Sequence, residues 1–440
     1  MARYYLKTYG CKVNQCDSDS LAARLESWGL DRSDDPRSAD LCIVNTCTVT
    51  AVSDSKCLKA LRAARRANPR ATIVGTGCLA RRDSAKMLSA AGVDSTIDIE
   101  DAKGWLDYLK ERNIFEGTPR PASGESRRAR TRVFVKVQDG CDSFCSYCIV
   151  PFVRGEPRSV PLELVRDRVR ASVEQGAKEV VLTGIHLGLY GIDMSPRVTL
   201  AALLRTLLDG TDIERVRLSS IEVNEVTDEL PEVFASSRRL QRHFHIPLQS
   251  GDESVLSAMN RHYTADDFRR VTGQIREIDA DTGIATDVMV GFPTETDRAF
   301  ETTLRLAEEL EFSRLHVFKY SPRPGTAAEA LKNGVPPGVA KERSNRMIEL
   351  GGHLSERFAR RFVGKTVEVL VESKRDPVTG WYGGFSSNYV RTAIRDATAD
   401  MVNTVARVVV EDTVGANAVA TSLAHVAGAG DVKAAHAQRL

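Results

Sequence analysis

The chain contains no apolar run long enough to span a bilayer, and its start, Met1-Ala-Arg-Tyr-Tyr, lacks the basic-then-apolar pattern of a secretory leader. Both absences lead to the expectation of a cytoplasmic protein that does not enter a membrane. An even set of cysteines is missing too: nine cannot close a disulfide framework, which favours metal ligation in a reducing compartment. Nor is there an excess of charge of one sign. The formal net charge is +2, so the whole-chain balance says almost nothing about nucleic acid. Only local runs do: Arg62, Arg65, Arg66 and Arg70, then Arg127, Arg128, Arg130 and Arg132. Such runs read as solvated faces or linkers, or as phosphate contacts.

What is present begins with size. At 440 residues the chain exceeds the length at which one hydrophobic core stops growing, so two or three domains are expected. Hydrophobic content of 42% and charged content of 27% are those of an ordinary globular protein.

The most informative stretch follows the alternating run Val133, Val135, Val137. After Gly140, three cysteines stand at C-x3-C-x2-C: Cys141, Cys145 and Cys148. Three thiolates in one short loop can hold three corners of a [4Fe–4S] cube, whose full ligation takes four cysteines. No further Cys or His follows Cys148 closely, as a zinc quartet would require. An open iron could be chelated by the amino and carboxylate groups of S-adenosylmethionine (SAM), setting its sulfonium beside a strong reductant. One electron would then release a 5′-deoxyadenosyl radical. Structural zinc and buried free thiols remain the alternatives. The spacing resembles the signature of the radical-SAM enzymes.

Residues 1 to about 110 alternate strand and helix. The β-prone run Tyr4–Thr8 ends at Gly10-Cys11, Leu41–Asn45 ends at Thr46-Cys47, and Thr72–Thr76 ends at Gly77-Cys78. Between them lie an amphipathic helix carrying Leu21, Leu25 and Trp28, and a basic helix over 53–67. In an open parallel α/β sheet the carboxyl ends of the strands share one edge, where ligands bind. Cys11, Cys47 and Cys78 are therefore expected to meet in space and to hold a second three-cysteine cluster. Packing in strand-end turns is the alternative, and it is the expected role of Cys16, Cys42 and Cys57.

Residues 116–131, rich in Pro, Gly, Ser and Arg, read as a linker. Six strand-then-helix units follow, with strands expected at 132–138, 179–183, 215–220, 242–248, 284–290 and 314–319. They predict a partial (β/α)6 barrel with its chemistry at the carboxyl ends of the strands. Those ends are polar and Gly-rich. Tyr147, Thr183, Gly184, Ser219, Glu222 and Gln249 are the candidate SAM contacts, with Glu222 placed to receive the amine or ribose hydroxyls. His186 and His245 are candidate site histidines that packing explains equally well, and His262 reads as surface. A helix over 337–362 closes the unit.

From Val363 the pattern alternates strictly, and turn signals at Asp376-Pro, Thr379-Gly and Gly383-Gly predict a small β-barrel. Its aromatics Trp381, Tyr382, Phe385 and Tyr389, with Arg391, could stack on unpaired bases and hold phosphate, or could be barrel core. Arg154 and Arg158 are further candidate phosphate contacts. The last dozen residues, 429–440, read as a frayed tail.

With these parts placed, the chain to about residue 425 resembles the methylthiotransferase family of radical-SAM enzymes. The resemblance is carried by Thr-Tyr-Gly-Cys11-Lys-Val-Asn-Gln, Asn-Thr-Cys47-Thr-Val, Gly-Cys78-Leu-Ala and the Cys141, Cys145, Cys148 loop. It implies a flavodoxin-like N-terminal domain (1–115) with an auxiliary [4Fe–4S] cluster on Cys11, Cys47 and Cys78. A radical-SAM core (132–362) and an RNA-binding TRAM barrel (363–428) would follow. Pro151-Phe-Val-Arg-Gly-Glu-Pro-Arg-Ser and Leu182-Thr-Gly-Ile-His-Leu-Gly-Leu-Tyr-Gly are most similar to the branch acting on N6-threonylcarbamoyladenosine at position 37 of tRNA. That branch implies methylthiolation of C2, with one SAM as radical source and one as methyl donor. It also implies two clusters, a tRNA anticodon stem-loop, a sulfur source, and an electron donor such as flavodoxin or ferredoxin. The rival substrates are isopentenyladenosine-37 and a ribosomal-protein aspartate. A rival of another class is an RNA-binding protein whose clusters are structural.

Overall fold

The computed structural model describes residues 2–117, 131–332 and 334–423. Most of the expected linker, with Arg127, Arg128 and Arg130, and all of the expected tail lie outside the described residues.

The first unit runs β1 (Arg3–Thr8), α1 (Lys12–Ser27), β2 (Asp31–Arg32), β3 (Leu41–Thr46), α2 (Ala51–Ala67), β4 (Thr72–Gly77), α3 (Cys78–Arg82), α4 (Ser84–Ala91), β5 (Ser95–Thr96) and α5 (Ala102–Glu111). Its strands are parallel in the order β2-β1-β3-β4-β5. That is the flavodoxin-like order, with its switch point between β1 and β3. All six residues of β3 are buried because both faces are covered. Leu41 and Ile43 join Leu21, Leu25 and Trp105 on one side, while Cys42 and Val44 join Cys57, Leu58 and Leu61 on the other.

The second unit begins with β6 (Arg132–Lys136), β7 (Gln138–Asp139), α6 (Val150–Arg154), β8 (Arg158–Ser159), α7 (Leu162–Glu174), β9 (Glu179–Thr183), α8 (Leu200–Gly210), β10 (Arg215–Leu218) and α9 (Glu229–Ser236). It continues through β11 (His243–His245), α10 (Glu253–Ala258), α11 (Ala265–Ile278), β12 (Gly283–Val290), α12 (Asp297–Glu309), β13 (Arg314–Lys319) and α13 (Pro337–Arg360). Two parallel three-stranded sheets, β10-β9-β6 and β11-β12-β13, join through bridges from Val216 to Leu240 and from Ser220 to His245. The result is a six-stranded arc open between β13 and β6, and α1 packs on β6. β11 is shorter than the expected 242–248. Pro247 has no N–H for the ladder, and the Leu248 N–H is taken by the Thr286 hydroxyl (2.9 Å).

The third unit is a closed barrel, β14-β15-β16-β18-β17, of β14 (Thr366–Glu372), β15 (Gly383–Ser386), β16 (Arg391–Ile394), β17 (Val405–Val414) and β18 (Asn417–Ser422). Its loop 385–389 sits on the amino-terminal strand ends of the arc. Arg215 and Arg217, both bound to the buried Glu179, donate to the carbonyls of Phe385, Ser386 and Ser387. The Tyr389 ring lies 4.3 Å from that of His243, and Phe385 stacks on Tyr389 at 4.4 Å. Phe385 and Tyr389 are engaged in the joint between the two units, and Arg391 is paired with Glu372 and Asp376. No helix among the described residues is long and apolar enough to cross a membrane.

Candidate functional site

The strand ends of the first unit gather three thiols. Cys11 caps the N-terminus of α1, Cys47 follows β3, and Cys78 opens α3. Gly77 has φ +85°, and a Cβ there would lie 2.2 Å from Asn45 Oδ1 and 2.6 Å from the Thr46 carbonyl, so a side chain would displace Cys78. Asn14, one turn into α1, ties the group together. Its Nδ2 donates to the carbonyls of Tyr9 (2.8 Å) and Thr46 (3.0 Å). Its Oδ1 lies 3.9 Å from Cys11 Sγ and 3.8 Å from Cys78 Sγ. Cys47 stands beside the Gly10–Cys11 turn: a Cβ on Gly10 would come within 3.0 Å of its Cβ. Burial raises the thiols of Cys47 and Cys78. Cys16, Cys42 and Cys57 lie elsewhere, buried, with thiols pushed up to about 12, 11 and 11, and behave as protonated packing residues. Cys57 underlies Cys47, its Sγ bonded to that residue's backbone.

The second set occupies the loop between β7 and α6. Gly140, at φ +75°, admits the Glu156 carbonyl where a Cβ would stand 1.9 Å from it, and the Cys141 N–H then bonds Gly155 O (2.9 Å). Cys141 Sγ lies 3.3 Å from His186 Nδ1 and 3.4 Å from Ser143 Oγ. Burial works to raise that thiol, but these two bonds outweigh it and leave it below its ordinary value. His186 also places Nε2 2.5 Å from Glu225. Burial pulls the imidazole down, and Cys141 and Glu225 more than reverse this, to about 10. Cys145 Sγ accepts from Arg261 Nη1 at 3.2 Å, and Nη2 of the same arginine pairs with Glu222. Cys148, deeper in the loop, is raised to about 12 by burial.

Arg261 and His186 are the residues that sequence reasoning missed or passed over. Nothing in their spacing marks them, because each comes to the loop from a distant segment. Of the candidate SAM contacts, Ser219, Glu222 and Gln249 share the carboxyl rim. Ser219 Oγ and Gln249 Oε1 are buried without a hydrogen-bond partner, and Gln249 is held at φ +60°. Buried orphans of this kind fit a polar ligand. Tyr147 is half-buried, edge-on to Phe292. Thr183 is buried at the end of β9, and Gly184 sits against Gln138, whose Oε1 would lie 2.8 Å from a Cβ.

The two sets face one another. Cys78 packs with Ile149 and Val153 in one small apolar cluster, so α3 of the first unit lies on α6 of the second. Arg154, at the end of α6, is 5% exposed. It bonds both carboxylate oxygens of Asp139 (2.9 Å each), Asn14 Oδ1 (2.6 Å) and Asp17 (3.0 Å). The expectation that Arg154 contacts RNA phosphate is corrected: its guanidinium is buried and fully used in joining the units. Arg158 is more than half exposed and pairs with Glu100 at 3.5 Å.

In neither triplet do all three sulfurs lie within 4.8 Å of one another, as ligands of one ion would. Thiol donors spread this way fit the separate corners of an iron–sulfur cluster better than a single metal.

Comparison with known proteins agrees with this geometry. Residues 3–98 match the uncharacterized protein family UPF0004, and residues 135–307 match the radical SAM superfamily. The threonylcarbamoyladenosine tRNA methylthiotransferase MtaB of Thermotoga maritima is 39% identical over 403 residues, covering 88% of this chain and 90% of that protein. The tRNA-2-methylthio-N(6)-dimethylallyladenosine synthase of Thermobifida fusca is 36% identical over 392 residues, covering 85% and 79%. Among solved structures, the radical S-adenosylmethionine methyltransferase TsrM of Kitasatospora setae aligns with TM-score 0.56 at 15% identity. That alignment covers 80% of this chain and 89% of TsrM, a likeness of fold.

Proposed function

The chain belongs to the radical-SAM tRNA methylthiotransferase family, and from that premise we propose that it methylthiolates C2 of N6-threonylcarbamoyladenosine at position 37 of tRNA. The observation that carries the reading is the opposition of the two thiol triplets across α3 and α6, held by Arg154. Cys141, Cys145 and Cys148 would hold one [4Fe–4S] cluster, and Cys11, Cys47 and Cys78 a second. When bound, the first supplies the electron that cleaves SAM to a carbon radical, and the second presents sulfur, chemistry that an unreactive aromatic C–H demands and that side chains alone lack.

The chain's own residues bind and position. Glu222 and Arg261 offer opposite charges to the amino and carboxylate ends of SAM, and Ser219 and Gln249 offer unpaired polar atoms beside them. Arg261 donates to Cys145, and His186 sets a ring nitrogen against Cys141 and works to lower that thiol. Apolar burial around Cys78 and Ile149 keeps water from the space between the triplets.

With Phe385 and Tyr389 occupied in the joint, the aromatics open to unpaired anticodon-loop bases are Phe144 and Phe152. Both are more than half exposed and edge-to-face at 5.7 Å, Phe144 in the cysteine loop and Phe152 on α6. The proposal requires a sulfur source, an electron donor such as flavodoxin or ferredoxin, and a cytoplasmic setting.

The test is anaerobic incubation of the iron–sulfide-reconstituted protein with SAM, dithionite and anticodon stem-loops, read by nucleoside mass spectrometry. A methylthio mass gain on the threonylcarbamoyl nucleoside is expected. Gain only on the dimethylallyl nucleoside would move the chain to the other branch, and iron binding without product on any loop would leave an RNA-binding protein with structural clusters.

A further inference from the structure

Identities of 39% and 36% to enzymes of two branches leave the choice of adenosine substituent to the site itself. The two substituents differ sharply in chemistry. A dimethylallyl group is hydrocarbon. A threonylcarbamoyl group carries a carboxylate, a hydroxyl and an amide N–H.

The floor of the arc's lumen is built for the second. On β11, β12 and β13 the outward residues Phe244, Ile284, Val288, Leu315 and Val317 pack into the core. By the period of two, His245, Asp287 and His316 then face the lumen. Asp287 Oδ1 lies 2.9 Å from His245 Nε2 and 3.3 Å from His316 Nδ1, and His245 Nδ1 lies 2.8 Å from Ser220 Oγ. Asp287 and His316 are direct register partners on adjacent strands. His245 is thus held at both nitrogens and fixes Asp287, which fixes His316. The outer ends of this chain have no partner among the described residues: Nε2 of His316, whose side chain is 49% exposed, and Oδ2 of Asp287. The cluster lies one inward-facing position below Met289 and Gln249 of the rim.

A second cation acts on β11 itself. Lys12 follows Cys11 at the start of α1, half-buried, and its charge acts on the fully buried ring of His243 at the lumen's lower end. Four cationic or imidazole groups act on that ring. Arg217 is tied to Glu179, and His245 and His316 are tied to Asp287. Lys12 makes no ion pair or hydrogen bond among the described residues.

We propose that Lys12 and His316, the latter oriented by Asp287, form a carboxylate-binding pair that reads the amino-acid substituent of the target adenine. This rests on the substrate reading above and names the residues that would enforce it. His316, its Nδ1 held on Asp287, offers Nε2 to the substrate carboxylate, and Lys12 offers its ammonium. Asp287 Oδ2 is left to accept from the substituent's hydroxyl or N–H. A hydrocarbon substituent would leave all three groups without these partners, and sites built on such hydrogen bonds discriminate against analogues lacking them.

The test measures binding, separately from turnover. Anaerobic holoprotein is titrated with fluorescent anticodon stem-loops bearing threonylcarbamoyladenosine, dimethylallyladenosine or plain adenosine at position 37. Wild type is expected to favour the threonylcarbamoyl loop over the plain one by about tenfold or more, the worth of one charge-assisted contact. His316→Gln and Lys12→Met are expected to bring that ratio to within about twofold of unity with plain-loop affinity unchanged, and Lys12→Arg to retain it. A wild-type preference that survives both substitutions overturns the pair and leaves the substrate reading standing. A wild-type preference for the dimethylallyl loop overturns both. His245, Asp287 and His316 also place donor atoms within 4.8 Å of one another, as a divalent ion would need. One equivalent of zinc in wild type that disappears in His316→Gln would therefore also overturn the carboxylate role.

Discussion

Arg154→Met is the sharpest test of how the two thiol triplets are held together. The guanidinium is almost fully buried, 3% exposed in its side chain, and so are its partners Asp17 and Asp139, at 3% and 7%. Around it lie two carboxylates, Asp17 and Asp139, and one other cation paired with both, Lys136, at 2.5 and 3.1 Å from them. Removing Arg154 leaves those two acids to one lysine, itself shared with Glu100, and strands Asn14 Oδ1, which also faces Cys11 and Cys78. Breaking a buried ion pair from one side costs about 3–5 kcal/mol, or two to nearly four decades in the equilibrium that docks the first unit on the second. Trp28 and Trp105 both lie in the core of the first unit, so tryptophan fluorescence during urea unfolding reports on it. The expected result is a lower unfolding midpoint together with uncoupling: 5′-deoxyadenosine is still released while methylthiolated nucleoside falls at least about 100-fold, the lower end of that range. Removing the orphaned charge with Asp139→Asn in the Arg154→Met background should recover part of the stability. An unchanged midpoint and an unchanged ratio of the two products in Arg154→Met would refute the reasoning.

Other consequences are open to direct measurement. Cys145→Ala is expected to abolish 5′-deoxyadenosine release, and undiminished SAM cleavage would remove that loop from the radical chemistry. Cys47→Ala is expected to keep SAM cleavage and lose thiolation; loss of neither would make the N-terminal thiols structural. Burial works to raise the Glu179 carboxyl, but Arg217 and Arg215 reverse this and hold it at about 2 against an ordinary 4.5. A depressed carboxyl stabilises the fold above its unfolded value and loses that as pH falls through the folded one. The joint should therefore weaken by about 3 kcal/mol between pH 5 and 2. Glu179→Gln should show a correspondingly flatter acid profile in urea midpoints, and an identical profile would contradict the ion triad. Gly283→Ala puts a Cβ 2.3 Å from the Asn388 carbonyl, so its melting temperature should fall, as overpacking of about 1–3 kcal/mol requires. An unchanged melting temperature would show that this contact gives way freely.

The sequence by itself determined the elements and the two thiol sets. Periodicity and strand-end glycines are local properties, so β1, β3 and β4 and the cysteines that follow them were legible from neighbours in the chain. The strand order was not: β2-β1-β3-β4-β5 places Cys11 and Cys47 on either side of a switch point through contacts between distant segments. The tertiary structure also decided what individual polar residues do. Arg154, Phe385, Tyr389 and Arg391 have the composition of an RNA surface, yet Arg154, Phe385 and Tyr389 are engaged with partners from another unit and Arg391 is paired within its own barrel. Arg261 has no motif, and the run 182–191 that contains His186 does not reveal its partner, yet they stand against Cys145 and Cys141 because the strands of the open arc bring their ends to one rim. A side chain's type is written locally, but its partner is chosen by folding, and in a buried site the partner sets the charge and therefore the chemistry.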